Sequence, residues 1–280
     1  MSGKNNLLSK SKTLNCRGRL VVIERPLVMG ILNLTPDSFF DGGKFNEVEA
    51  AVQRAEQMLE EGADILDLGA YSSRPGAEDI SEEEELNRMI PALEEIVKRF
   101  PDALISIDTF RSGVAEKALE AGAHIINDIS GGNLDEQLPL VAAKYNAPYI
   151  CMHMKGTPQT MQQNLQQEPI MPEVLSFFAH RVPKLVRQGL KDVIIDPGFG
   201  FGKTLEQNYE MVEHLSDFAI LDKPILVGVS RKSMIKKKFG ESPEQTLQGT
   251  IEVNRQLLQN GADILRVHDV KEVVELISDL

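Results

Sequence analysis

Six apolar segments of the sequence end in acidic, amide or basic residues, where a buried segment would be expected to stay apolar. These residues are Asn33, Asp67, Asp108, Asn127, Asp196 and, after the last segment, Arg266 with His268. Carboxylates combined with an amide can bind the N–H edge of a flat, nitrogen-rich heterocycle such as a pterin or a purine. Arginine and histidine, with Arg74 as a further cation, can bind a phosphate or pyrophosphate. The residue types therefore predict one site for two different groups.

Asn33 and the segment around Lys232 extend this prediction. Asn33 offers a neutral oxygen that can hold Mg²⁺ through water and phosphate oxygens. Lys232 lies in the segment GVSRKS, in which Ser230 is expected to begin a helix whose N-terminus can receive a carboxylate. A heterocycle edge, an anion site and a second anion pocket together indicate a transferase with two substrates.

The segment DPGFGFGKT, residues 196–204, ends in the way that a nucleotide phosphate loop ends. Pro197 stands where such a loop needs its first glycine, and proline has no N–H to donate to a phosphate. The alternating glycines do not form a dinucleotide-binding motif either. The segment is interpreted as a strand-end carboxylate followed by a glycine loop and a helix start. Lys203 is expected to be either an anion ligand or a surface lysine.

A repeated helix-to-strand connection marks the strands that carry these residues. The segments EGADILDLG, AGAHIINDI and NGADILRVH each place a glycine after an amphipathic helical stretch and before a short apolar run. The runs do not alternate, which is typical of parallel strands covered on both faces. Eight strands are predicted, near Val28–Asn33, Asp64–Leu68, Leu104–Asp108, His124–Asn127, Pro148–Met152, Val193–Asp196, Ile225–Val229 and Asp263–Val267.

This alternation of strands and helices predicts an α/β fold, a single (β/α)8 TIM barrel, for which 280 residues are sufficient. Residues 1–26 are expected to be an N-terminal extension, a tail or short hairpin that caps the barrel floor, and residues 27–280 to be the barrel. The carboxyl ends of barrel strands meet at one rim. The polar strand-end residues should therefore surround one cavity although they are far apart in sequence.

Composition excludes several classes of partner. The formal charge of −12 argues against a nucleic-acid surface, which would be basic. No apolar stretch is long enough for a signal sequence or a membrane span, and two widely separated cysteines do not form a disulfide framework. We expect a cytoplasmic protein without a membrane partner. Cys151 and His153 lack further ligands at metal-binding spacing, so they are interpreted as structural.

The motifs that carry these residues also resemble a known family. They are MGILNLTPDSFFDGG, RPGA, SIDTFR, IINDISGG, MHMKGTPQTMQ, IDPGFGFGKT, GVSRKS and LRVHDV, in this order over about residues 20–275. Together they are similar to the dihydropteroate synthases, the sulfonamide-target enzymes of folate synthesis. The resemblance implies a TIM barrel, usually a homodimer. It also implies the condensation of 6-hydroxymethyl-7,8-dihydropterin pyrophosphate with p-aminobenzoate, which gives dihydropteroate and pyrophosphate.

The resemblance implies three adjoining pockets. The pterin pocket contains Asp108, Asn127, Asp196, Lys232, Met152 and Arg266, and Asp67 is counted with the substrate-binding residues. The pyrophosphate and Mg²⁺ site contains Asn33, Arg266 and His268. The p-aminobenzoate pocket contains Phe39, Ser73, Arg74, Pro75, Phe201, Ser230 and Lys232. Asp108, Asn33, Lys232, Arg266 and His268 are the implied catalytic residues, and Asn33 is the implied metal ligand.

The second loop departs from the family's usual wording. Where GGESTRPGA is usual, this chain has GAYSSRPGA, so that Ala70 and Tyr71 replace Gly-Glu and Ser73 replaces Thr. Serine keeps the hydroxyl and loses a methyl contact worth ~1 kcal/mol. Substrate choice should survive this change, whereas sulfonamide affinity depends on the same pocket.

A dissociative mechanism is expected. Mg²⁺, Asn33, Arg266 and His268 assist the departure of pyrophosphate, and Asp108 stabilises the pterin cation. The neutral arylamine then attacks, so no covalent residue is assigned. Two alternatives stay open: a pterin-dependent methyltransferase, which would need no pyrophosphate site, and a degenerate pterin-binding or scaffolding protein, which would not turn over.

Overall fold

Parallel strands alternate with helices along most of the chain. A computed structural model describes residues 12–34, 43–72, 79–157, 160–161, 165 and 167–280, with the side chains of the first helix described from residue 47. The strands are β1 Lys12–Cys16, β2 Arg19–Ile23, β3 Leu27–Asn33, β4 Ile65–Gly69, β5 Leu104–Asp108, β6 Ile125–Asp128, β7 Tyr149–Met152, β8 Val193–Asp196, β9 Leu226–Val227 and β10 Ile264–Val267. The helices are α1 Gly43–Glu60, α2 Glu82–Arg99, α3 Ser112–Glu120, α4 Leu138–Lys144, α5 Met171–Arg187, α6 Leu205–Glu213, α7 Ser233–Phe239, α8 Pro243–Gln259 and α9 Val270–Ser278, with a 3₁₀ helix at Leu215–Leu221.

Eight of the strands form one parallel sheet that closes on itself. Their order is β8-β7-β6-β5-β4-β3-β10-β9. A parallel bridge between Ile195 and Ile225 joins the two ends of this sheet, and the Ile195 amide donates to the Pro224 carbonyl at 2.9 Å. The predicted (β/α)8 TIM barrel is therefore confirmed. Within the described residues, no helix is both long enough and apolar enough to span a bilayer.

Strand β9 is shorter than the predicted Ile225–Val229. The Ile225 amide donates to Oδ2 of Asp263 at 2.7 Å, and the carbonyl of Ile225 accepts from the amides of Asp263 and Ile264. A carboxylate thus takes the place of a ladder acceptor at Ile225, and regular pairing with β10 is limited to Leu226–Val227. The chain then leaves the sheet early and turns into the loop that carries Lys232.

Residues on each barrel strand alternate between two apolar clusters. The outward residues, such as Leu66, Ile126 and Leu265, pack in the large cluster formed with the helices. The inward residues nearest the amino ends of the strands form a second cluster with the N-terminal hairpin. This second cluster includes Met29, Ile65, Leu104, Ile125, Ile150, Ile194, Leu226 and Ile264. The next inward residue along a strand is therefore the one that faces the cavity above this floor.

The antiparallel hairpin of β1 and β2 closes the floor of the barrel. Its residues Leu14, Cys16 and Ile23 are buried against the inward cluster. Lys12 Nζ donates to Oδ2 of Asp263 at 2.6 Å, which ties the hairpin to the start of β10. Burial raises the pKa of the Cys16 thiol to about 12, so it stays protonated at neutral pH. The proposed boundary between an extension at residues 1–26 and a barrel domain stays a prediction.

Three of the described helices begin with a side-chain cap. Ser81 accepts a hydrogen bond from the Glu84 amide, and reciprocal capping boxes begin α6 at Thr204 and α8 at Ser242. Such caps satisfy amides that would otherwise lack partners at a helix start. Asp269 precedes α9 without a side-chain cap, because its carboxylate instead accepts from Arg231.

Candidate active site

A buried charge cluster lies at the carboxyl end of the barrel strands. Arg266 Nε donates to Oδ2 of Asp67, and Arg266 Nη2 donates to Oδ2 of Asp108, both at 2.6 Å. Asn127 Nδ2 donates to the same Asp67 oxygen at 3.0 Å. These residues come from β10, β4, β5 and β6, and each is an inward residue above the floor. One guanidinium thus holds two of the strand-end carboxylates that the sequence predicted to converge.

The environment of this cluster shifts its proton affinities. Burial raises the pKa of Asp108 to about 7; Arg266 acts against that shift and Asp67 adds to it. Burial alone would lower the pKa of Arg266, but the two neighbouring carboxylates raise it above the ordinary value. The guanidinium therefore stays charged at every physiological pH, whereas Asp108 can exchange a proton near neutrality.

Two acceptors inside the barrel stay unused. Oδ1 of Asp67 and Oγ of Ser106 are buried and have no hydrogen-bond partner within the described chain. A buried acceptor without a partner costs free energy unless a ligand or water satisfies it. The part of the barrel interior that β4 and β5 line is therefore suited to a ligand that brings N–H groups. Ser106 was not identified from sequence, although it is two residues before Asp108 and has the same inward orientation.

The glycine loop after β8 forms the opposite wall. Oδ1 of Asp196 accepts from the Gly198 amide at 2.8 Å, and burial raises the pKa of this carboxyl against the effect of Lys232. Lys232 Nζ donates to the Phe199 carbonyl at 2.6 Å and lies 4.7 Å from the centroid of the Phe201 ring. Burial lowers the pKa of Lys232 to about 8. Asp196, Phe201 and Lys232 therefore lie together, as the predicted adjoining pockets require.

Ser230 and His268 connect the loops after β9 and β10. Ser230 Oγ lies 3.0 Å from Nδ1 of His268 and accepts from the His268 amide at 3.2 Å. The prediction that a helix begins at Ser230 is wrong, because α7 begins at Ser233. Arg231 has φ +56°, a left-handed conformation that a right-handed helix does not accept. Ser230 thus contributes its hydroxyl to His268 in place of a helix N-terminus.

The remaining predicted residues divide into those that the structure describes and those that it does not. Asn33 is the last residue of β3 and pairs with Gly69, which in turn pairs with Asp108. Met152 ends β7 and pairs with Asp196. Asn33 and Met152 thus reach the same rim as the charge cluster. Phe39, Ser73, Arg74 and Pro75, all predicted for the p-aminobenzoate pocket, lie outside the described residues.

A second buried network supports the loop after Asp108. Helix α2 begins with an acidic run at 82–85, and Glu85 in this run is fully buried. Its carboxylate accepts from Thr109 Oγ1 at 2.6 Å and from Arg111 Nη1 at 2.5 Å. Arg111 also donates to the Ile80 carbonyl at 2.6 Å. The only sequence signal for this network is the basic residue in SIDTFR.

Lys203 is neither of the things that the sequence predicted. It is 4% exposed, so it is not a surface lysine. Its Nζ donates to the carbonyl oxygens of His153, Gly198 and Phe201, at 3.2, 2.9 and 3.0 Å. An ammonium that already makes three hydrogen bonds to the backbone has no remaining N–H for an anionic ligand. Its role is internal to the glycine loop.

Comparison with known proteins identifies the family. A family model described as pterin binding enzyme matches residues 29–268, from within β3 to the residue that follows β10. This chain belongs to that pterin-binding enzyme family. Among curated members, dihydropteroate synthase of Escherichia coli K12 is 43% identical over 262 residues, which covers 92% of each chain. The dihydropteroate synthase of Clostridium beijerinckii is 44% identical over 252 residues, 89% of this chain and 91% of its own.

Solved structures of dihydropteroate synthases have the same fold. The Xanthomonas albilineans enzyme with 4-aminobenzoic acid superposes with a TM-score of 0.89 at 38% identity, covering 96% of this chain and 97% of that one. The Yersinia pestis enzyme with a sulfonamide drug complex gives 0.88 at 41% identity over the same shares. The resemblance of the motifs to the dihydropteroate synthases is therefore confirmed over most of the chain.

Proposed function

We propose that this chain is a dihydropteroate synthase. It joins 6-hydroxymethyl-7,8-dihydropterin pyrophosphate to p-aminobenzoate and releases pyrophosphate and dihydropteroate. The observation that carries this function is the cluster of Asp67, Asp108 and Asn127 on Arg266, with one Asp67 oxygen left unpaired inside a barrel of this family. Of the three functions left open by the sequence, the synthase is the one that the named relatives share.

The pterin ring would bind with its N–H edge toward the carboxylates. Asp67 Oδ1 and Ser106 Oγ can accept hydrogen bonds that the described chain does not supply, and Asn127 adds both a donor and an acceptor. Asp196 lies on the wall opposite, with one oxygen occupied by the Gly198 amide. Hydrogen bonds at a buried edge give strong discrimination against ligands that lack the matching N–H groups.

The pyrophosphate would leave toward the cationic side of the rim. As the bond between the pterin methylene carbon and the bridging oxygen breaks, negative charge develops on the departing oxygens. Arg266 and His268 can stabilise that charge from fixed positions, because Arg266 is clamped by two carboxylates and His268 by Ser230. The positive charge left on the methylene carbon is delocalised into the dihydropterin ring, and the ionised form of Asp108 stabilises this cation electrostatically.

The residues present fit Mg²⁺ as a partner of the substrate. Among the described residues, no group of three or more His, Cys, Asp and Glu side chains is placed to hold a metal ion. Mg²⁺ does not need such a group, since it keeps several waters and is commonly bound through substrate phosphate oxygens. Asn33 would hold it through the side-chain oxygen, and the bound ion would neutralise charge on the pyrophosphate. An Asn33→Ala variant should need a higher Mg²⁺ concentration for half-maximal turnover.

The arylamine completes the reaction without a covalent enzyme intermediate. Its neutral nitrogen forms the new bond to the methylene carbon and then loses a proton to solvent. Lys232 and Phe201 line the side from which it would approach, with the ammonium available to the p-aminobenzoate carboxylate. A charged Lys232 is needed for that contact, which its pKa of about 8 permits at neutral pH.

Release of pyrophosphate tests this function directly. Purified protein is given the pterin pyrophosphate and Mg²⁺, with and without p-aminobenzoate, alongside Asp108→Asn. The control is Asp102→Asn, which removes an exposed carboxylate just before the same strand. We expect amine-dependent release that falls about 100-fold in Asp108→Asn and is unchanged in the control. Pterin binding without any release would show a degenerate binding protein and would overturn the proposal.

Two further properties are proposed from the resemblance to the family. The chain is proposed to form a homodimer in the cytoplasm. Light scattering should then give a mass twice the 31.1 kDa of one chain, and cell fractionation should recover the protein without membranes. A particle with the mass of one chain would exclude the homodimer.

A further inference from the structure

Lys203 places a buried positive charge inside the loop that carries Phe201. Its ammonium makes three hydrogen bonds to backbone carbonyls, two of them within the loop itself, from Gly198 and Phe201. The third goes to the His153 carbonyl, on the segment that follows the neighbouring strand β7. One side chain thus joins the two ends of the loop to the barrel wall.

Burying such an ammonium is costly, so its hydrogen bonds must offset the loss of hydration. Burial lowers the pKa of Lys203 to about 7, with Asp196 acting against that shift. A buried cation is tolerated only when its donors are satisfied, and here carbonyl oxygens supply the acceptors. The carbonyls of Gly198 and Phe201 must point inward to do so. The orientation of those two peptide groups is therefore coupled to the ammonium.

The peptide groups next to these two form the functional sides of the loop. The amide of Gly198 donates to Asp196. The Phe199 carbonyl accepts a hydrogen bond from Lys232 Nζ, which also lies over the Phe201 ring. The glycines at 198, 200 and 202 have φ of +73°, +81° and +67°, so the loop has a backbone path that other residues rarely adopt. Glycine is flexible in isolation, and this path needs a feature that selects it.

We propose that Lys203 is a positioning residue whose buried ammonium holds the glycine loop in the conformation that presents Phe201 beside Lys232. The inference rests on the proposed function, because the consequence of a displaced Phe201 is weaker capture of p-aminobenzoate. Lys203 touches neither substrate. It acts through the loop backbone.

A double-mutant cycle tests this coupling. Lys203→Met, Phe201→Ala and the double variant are compared with the wild-type chain by the KM for p-aminobenzoate. We expect Lys203→Met to raise this KM about tenfold in the wild-type background and less than about twofold in the Phe201→Ala background, since residues that act as one unit are not additive. Equal effects in both backgrounds would overturn the proposal. Absence of turnover in the wild-type chain would instead refute the proposed function.

Lys155→Met is the matched control. Lys155 lies against the same loop, with its Cβ 2.6 Å from where a side chain at Gly202 would begin, but its ammonium pairs with Glu173 at 2.6 Å. We expect an unchanged KM in this variant. If Lys203→Met does not fold, as judged by circular dichroism, Lys203→Gln keeps two N–H donors without the charge and replaces it in the cycle.

A fluorescence measurement tests placement without turnover. The chain has no tryptophan, so Phe201→Trp introduces a single reporter on the loop. Adding Lys203→Met should lower the anisotropy of this tryptophan and shift its emission to the red, because the loop loses its anchor. Adding Lys155→Met should leave both unchanged. If Lys203→Met changes neither the anisotropy nor the emission of the tryptophan, the positioning role is contradicted, even if the variant is less stable.

Discussion

Arg266 and Asp108 are joined by a 2.6 Å hydrogen bond across the mouth of the barrel, from β10 to β5. The same guanidinium also holds the fully buried Asp67. The carboxylate assigned to stabilise a cationic pterin is therefore already paired with a cation before any substrate binds. A substrate that gains from Asp108 must compete with, or share, that pairing.

Removing the guanidinium should destabilise the fold. Arg266→Met leaves two buried carboxylates without their cation, and we expect the free energy of unfolding at pH 8 to fall by about 3 kcal/mol. The loss should shrink as the pH is lowered, because Asp108 then takes up a proton and one of the two unpaired charges disappears. Urea denaturation at pH 8 and pH 5 checks both parts. A loss that grows toward pH 5 would contradict the charge explanation.

The raised pKa of Asp108 should appear as a pH dependence of stability. Its folded-state pKa of about 7 exceeds the ordinary value of 3.8, so the folded chain keeps a proton that the unfolded chain releases. This contribution is fully present below about pH 4 and is lost as the pH rises to about 7. Asp108→Asn removes the titration. The stability of this variant relative to wild type should therefore rise between pH 5 and 7, by at most about 1.4 kcal/mol per pH unit.

Denaturation of both proteins at several pH values measures that difference in stability. The substitution also changes the contact that the neutral form of Asp108 makes with Arg266; this part is the same at every pH, and only the slope is interpreted. A flat difference for Asp108→Asn would mean that Asp108 is ionised throughout this range.

Gly198 should be far less tolerant of substitution than another glycine with positive φ. A Cβ there would overlap the His153 carbonyl oxygen, whereas a Cβ at Gly261, with φ +95°, meets nothing within 4 Å. We expect Gly261→Ala to cost about 1 kcal/mol from backbone strain alone and Gly198→Ala to cost about 3 kcal/mol or more. Thermal unfolding compares the two. Similar losses would show that the loop can move away from His153.

The hairpin floor should contribute to stability and not to catalysis. Leu14 is 1% exposed within the floor cluster, while Leu20 on the paired strand is 67% exposed. Leu14→Ala should lower the free energy of unfolding by about 3 kcal/mol, and Leu20→Ala by less than about 0.5 kcal/mol. The folded Leu14→Ala chain should keep the wild-type kcat. A lowered kcat with normal stability would place the hairpin in the catalytic machinery.

The fold and the convergence of the polar residues could be predicted because they follow from local patterns. Glycine joints mark the strands, and all strands of a barrel point the same way, so Asp67, Asp108 and Asn127 had to meet at one rim. The pairing within the rim could not be predicted. Which carboxylate takes which nitrogen of Arg266 depends on the register of strands far apart in sequence.

The roles of residues that contact the backbone or a buried side-chain network could not be predicted from the sequence either. Lys203 was expected to be an anion ligand or a surface lysine, since nothing local shows that the segment after β7 supplies a carbonyl. Glu85 is one of four consecutive acidic residues in the sequence, and only the position of Thr109 and Arg111 shows why it is buried. The left-handed Arg231, which moves the start of α7 to Ser233, has no signal in its residue type.

Floor residues and site residues are two positions apart on the same strand, and this spacing limits where the chain can gain or lose residues. Ile65 and Asp67, Ile125 and Asn127, and Ile264 and Arg266 each lie on one strand, with the apolar residue below and the polar one above. Since successive residues face opposite sides of a strand, one inserted residue would turn the polar group toward the helices and leave a gap in the cavity. Single substitutions within a strand keep this alternation, whereas insertions and deletions keep it only when they fall in the loops.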